Sequence, residues 1–129
     1  MTDWLDRTLT VCAYYYCLCL NEADFHAKLR QMRLPGHRWS RFLTPGRHAT
    51  THYFEHDGKM IAIVCMNADM ATEKTGAQIA ALLVHEAVHI WQLHAHYIGA
   101  GNDHGDEEEA YAIQNIAQNL MESYMAQVK

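Results

Sequence analysis

The sequence predicts one α+β domain: a small, largely antiparallel three-stranded sheet packed on a long buried helix, with a glutamate-headed C-terminal helix on that helix's other side. Three observations carry this expectation. Two β-rich runs flank Asp57-Gly58, a helix-start signature at Thr75 opens a strongly apolar stretch, and a second stretch with helical spacing fills the C-terminus. With 129 residues, half of them hydrophobic and only 2 of them proline, the chain is sized for one core and no linker, so residues 1–129 read as a single domain.

From Thr10 to Leu20 the chain is rich in Val, Tyr and Cys without helical spacing, which predicts a strand partly buried on both faces. Asn21 then offers a helix N-cap, and Phe25, Leu29 and Met32 follow at intervals of three and four, an amphipathic helix closed by Pro35-Gly36. The loop from Arg33 to Arg47 mixes Trp39 with Arg38, Arg41 and Arg47. It reads first as a surface loop pinned by one aromatic, and second as a substrate contact. Ala49–His56 and Lys59–Asn67 form a hairpin about Asp57-Gly58. On its first strand His48, Thr50, His52, Phe54 and His56 alternate with Ala49, Thr51, Tyr53 and Glu55. The histidine side is expected to be the polar face of an edge strand and not a second metal site.

Thr75-Gly76-Ala77-Gln78 is a capping box, with a Thr hydroxyl for the first backbone donors and a Gln three residues later to reciprocate. The helix should run past Trp91 to about Ile98, where Gly99 and Gly101 stop it. Its middle is apolar almost all round, which predicts burial on more than one side. In the last helix, Asp106 to about Val128, Ala110, Ile113, Ala117, Leu120, Met121 and Tyr124 fall on one stripe, and the acids at its start suit the helix dipole.

A formal charge of −5 argues against a nucleic-acid or anionic-membrane partner. No run of 18 apolar residues exists, and Asp3 and Asp6 stand where a signal peptide carries basic residues, so a cytoplasmic location is expected. Cys12, Cys17, Cys19 and Cys65 have neither metal-binding nor disulfide-framework spacing and read as buried free thiols.

Chemistry concentrates in His85-Glu86-Ala87-Val88-His89, an H-E-x-x-H pattern inside the long helix. Residues four apart on a helix are about 40° apart around the axis and about 6 Å along it, so two imidazoles can reach one tetrahedral ion. Glu86, beside them, is placed to accept the proton of a water whose pKa a zinc ion brings toward neutrality. In a chain with 10 His the bare pattern would arise in about one shuffled sequence in twenty, so its context carries the weight: a capped helix, in which two imidazoles and a carboxylate buried without partners would be costly. A catalytic site needs a third protein ligand. Gln92 and Ala95 stand where the extended metzincin pattern has Gly and His, His96 is about 10 Å along the axis from His89, and His94 faces away. That leaves Glu107-Glu108-Glu109 at the head of the final helix. On the predicted stripe Glu108 points away, while Glu107 and Glu109 lie on opposite shoulders.

His85-Glu86-Ala87-Val88-His89-Ile90-Trp91-Gln92, followed by Glu107-Glu108-Glu109-Ala110-Tyr111-Ala112-Ile113-Gln114, resembles a family of small phage- and prophage-encoded zinc metallopeptidases of the gluzincin type. The resemblance implies a zincin-like fold, Zn2+ as cofactor, His85, His89 and Glu107 as metal ligands, and Glu86 as general base. Tyr111 stands where such segments more often carry an Asp that orients a ligand histidine. The expected activity is hydrolysis of a peptide or protein substrate in the host cytoplasm, with Tyr111, His52 or His104 as candidates for stabilising the oxyanion. The rival expectation is a non-catalytic, zinc-stabilised binding or phage-assembly module on the same fold.

Overall fold

The computed structural model describes residues 4–5, 14–56, 58–97 and 106–128. Three strands, β1 (Tyr14–Cys19), β2 (Ala49–His56) and β3 (Lys59–Met66), make one sheet in the order β1-β3-β2. β2 and β3 are the expected antiparallel hairpin, closed between His56 and Lys59 with Gly58 at φ 75, a left-handed value that glycine adopts without a Cβ penalty. β1 pairs with β3 in parallel, Tyr14 opposite Met60 through Cys19 opposite Cys65. The sheet is therefore mixed and not largely antiparallel. The cause is connectivity: the helical connection after β1 delivers the chain to the far edge strand β2, running opposite to β1, and the hairpin reverses it once more, so β3 enters between them parallel to β1.

Local signals set the helices. Asn21 Oδ1 accepts from the Asp24 amide at 2.8 Å and starts α1 (Glu22–Gln31). Its end is a Schellman motif: Leu34 N–H bonds the Leu29 carbonyl, Arg33 N–H the Arg30 carbonyl, and Arg33 takes φ 57. A 3-10 turn at Gly36–Arg38 follows, and the Trp39 indole donates to the Leu34 carbonyl at 2.8 Å, pinning the loop as expected. After a short helix, α2 (Met70–Glu73), both bonds of the Thr75–Gln78 capping box form, at 2.9 and 3.2 Å, and launch α3 (Gly76–Tyr97). The last helix, α4, spans Asp106–Gln127.

Two cores form, one on each face of the sheet. Cys17, Cys19, Ile61, Ile63 and Cys65 meet Phe25 and Leu29 of α1. Tyr16, Leu18, Ala62 and Val64 meet α3 and α4, which lie side by side on the other face. α4 is thus beside α3 and touches β1 itself, rather than covering the far flank of α3. Asn119 donates to the Tyr16 hydroxyl and Gln127 to the Leu18 carbonyl, each at 2.9 Å, so α4 is clasped onto the β1 edge. Its buried row is Ala112, Ile116, Ala117 and Leu120, with Ala110 exposed. The stripe is rotated from the predicted one because small Ala residues on both flanks leave the choice of face to packing. Cys17, Cys19 and Cys65 are free and buried, as expected. Residues 10–13 of the predicted first strand, Cys12, Asp57, the helix stop after Tyr97 and His104 lie outside the described residues. Among the described residues no helix is long and apolar enough to cross a membrane.

Candidate metal centre and its cleft

α3 buries Ile79, Leu83, Ala87, Ile90, Trp91 and Ala95 and turns His85 and His89 outward. Both imidazoles are exposed, which corrects the expectation that the motif's two imidazoles are buried with its carboxylate; of the three polar motif residues only Glu86 is buried, at 5 % exposure. The rings meet edge-on at 82°, and their Nε2 atoms stand 3.1 Å apart. His89 Nδ1 lies 3.3 Å from Gln92 Oε1. An amide oxygen accepts only, so this bond places the His89 proton on Nδ1 and leaves Nε2 as a lone pair.

The separation of the two Nε2 atoms is compatible with one shared zinc ion. Two nitrogens about 2.05 Å from one tetrahedral ion stand about 3.3 Å from each other, close to the separation found here. Glu86 shares the helix with them, and its Oε2 accepts from the Thr51 hydroxyl of β2. Thr51 thus fixes a carboxylate 35 residues away in sequence, a partner that no local pattern could announce.

These residues line a cleft of about 770 Å3 between α3, the start of β2 and the loop before it. Thr51 and Tyr53 enter it from β2, Arg47 and His48 from the loop, and Gln92 from α3. The alternation along β2 puts His52 on the opposite face, where it stacks on Phe25 (centroids 4.8 Å, 24°) and donates to the Phe42 carbonyl at 3.0 Å. His52 is therefore neither part of a solvated polar face nor an oxyanion donor. Tyr111 is 65 % exposed on α4 and is not among the cleft residues. Tyr53 lines the cleft, and its place two residues after Thr51 on one strand face was readable from the period of two.

Among the described residues no three His, Cys, Asp or Glu side chains gather closely enough to hold an ion. Glu107 is exposed. It precedes the fully buried Ile116 by nine residues, half a turn in net rotation, so it lies on the opposite side of α4. Glu109, half-buried, is seven residues before Ile116 and shares its face. Glu108 lies near His94 of α3, so α4 begins where α3 ends and the two helices run antiparallel. His94 is buried against Trp91 (5.3 Å), away from the imidazole pair as expected, and desolvation lowers its pKa against a smaller opposing pull from Glu108.

Compared with protein-family models, curated proteins and solved structures, the chain matches none of them.

Proposed function

We propose that this chain is a zinc-dependent hydrolase acting on peptide or protein amides, with His85 and His89 as metal ligands, a glutamate from the head of α4 as the third, and Glu86 as general base. The observation that supports the reading most is the convergence of two imidazole Nε2 atoms to 3.1 Å beside a carboxylate held by Thr51. When bound, the ion supplies Lewis-acid polarisation of water and of the scissile carbonyl. The protein's own groups do the rest. Gln92 orients His89, Thr51 holds Oε2 of Glu86 so that Oε1 is the oxygen left to take a proton, and the protonated Glu86 then delivers that proton to the departing amine. Tyr53 stands in the cleft wall as a donor for the carbonyl oxygen.

The motif resemblance favours Glu107 as the third ligand, and its orientation on α4 favours Glu109. The rival reading is a zinc-stabilised binding or assembly module that uses the same residues without turnover.

One set of variants separates these readings. Glu86→Gln keeps the size of the side chain but cannot accept a proton, so turnover should fall by about a hundredfold or more with zinc content unchanged. Glu107→Gln and Glu109→Gln should differ, the true ligand being the one whose loss releases zinc. Zinc content and cleavage of a peptide library are measured together. A folded, zinc-loaded wild type that cleaves nothing across a broad library would leave the binding-module reading standing.

A further inference from the structure

Charge along the chain is segregated in a way the hydrolase reading does not use. Residues 25–54 carry Lys28, Arg30, Arg33, Arg38, Arg41 and Arg47, six of the 10 Lys and Arg, and none of the 15 Asp and Glu of a chain whose net charge is −5. This segment runs from α1 through the loop and ends at the cleft, where Arg47 and His48 line the wall formed by the loop before β2. Arg47 is exposed, and among the described residues its guanidinium has no hydrogen bond or ion pair, while its backbone amide donates to the Thr44 carbonyl. Among the described residues the cleft lining contains one carboxylate, Glu86, which is buried and already bonded to Thr51. Its remaining ionisable groups are Arg47, the imidazoles of His48, His85 and His89, and the Tyr53 phenol. An uncompensated guanidinium at the rim of a cleft poor in acid attracts an anion, and its planar fork matches a carboxylate.

We infer that Arg47 is an anion subsite of the cleft and that it holds a carboxylate of a peptide, either an acidic side chain or the C-terminal group. The inference rests on the cleft being a peptide-binding site, as proposed above, but not on turnover. Three peptides of one length carrying a neutral dye distinguish the two sources: one with internal Asp and Glu and an amidated C-terminus, one without acids and with a free C-terminus, and one neutral and capped at both ends. Binding to the full-length chain is read by fluorescence anisotropy, with zinc and with chelator, at low and high salt.

One of the two carboxylate peptides should bind about tenfold or more tighter than the capped peptide, as a charge-assisted pair gives, and the advantage should shrink with salt. Arg47→Gln should erase the advantage and Arg47→Lys should keep part of it, while far-UV circular dichroism checks that both variants fold. Equal binding of all three peptides, no binding of any, or an advantage that survives Arg47→Gln each overturns the subsite. Charge-dependent binding lost in Arg47→Gln without any cleavage supports the subsite while the hydrolase reading fails. Cleavage without charge preference does the reverse.

Discussion

The chain repeats histidine at intervals of four in two places, and the two places do opposite things. On the strand side, His48, His52 and His56 recur from the residue before β2 to its last residue; on the helix side, His85 and His89 recur on α3. Four residues of strand span about 13 Å, so side chains on one face stay apart and each answers to its own neighbours. His52 accordingly becomes a flat ring on Phe25 with one bond to a loop carbonyl. Four residues of helix span about 6 Å, and there the imidazoles converge to 3.1 Å. The same spacing is a packing pattern on one backbone and, on the proposed function, a chelating pattern on the other.

The sharpest way to break this comparison is to remove each partner and measure metal and stability separately. His85→Ala or His89→Ala should abolish zinc binding by the purified protein, and Gln92→Leu, which frees the His89 ring to turn, should weaken it about ten- to hundredfold. Plasma emission spectrometry and competition with a zinc indicator read both. Full zinc occupancy in the alanine variants would end the distinction between the two histidine sets. A smaller effect is expected on the strand: His52→Ala should leave zinc binding intact and cost about 1–3 kcal/mol in urea unfolding, through the lost stack and the orphaned Phe42 carbonyl.

The smallest effect concerns His94, a third histidine environment, buried between the two helices. Desolvation lowers its pKa in the folded chain, so below about pH 6.5 the unfolded chain binds a proton that the folded one resists. The stability His94 contributes is complete above that pH and declines as pH falls through the lower folded value. In chelator, the urea midpoint of the wild type should drop between pH 7 and pH 5 more than that of His94→Gln. Parallel curves for the two proteins would show that His94 is not the group responsible.

What was legible in the sequence was what local chemistry decides. The Asn21 cap, the Thr75–Gln78 box and the Asp57-Gly58 hairpin involve partners two or three residues apart, and the structure shows each of them. What was not legible depended on distant pairing. The parallel alignment of β1 follows from the hairpin inserting β3 between β1 and β2, an order that leaves no mark within β1. The rotation of α4 by part of a turn was hidden because Ala110 and Ala112 are equally suited to burial, and that rotation puts Glu109 rather than Glu107 on the buried side of the helix. Thr51 as the partner of Glu86, and the exposure of the imidazoles, likewise required the sheet and α3 to be set side by side.

The sheet also separates two kinds of donor. Cys17, Cys19 and Cys65 lie in the core beneath α1, while the imidazole pair opens onto the cleft beside α3. Cys17 is raised in pKa by its hydrogen bond with Cys19 and by burial, and Cys65 chiefly by burial, so both stay as unreactive thiols. With sulfur walled off on the far face, a metal held by nitrogen and carboxylate oxygen would be loaded and released by proton concentration and free zinc, and oxidants that strip thiolate sites would have no donor there to attack.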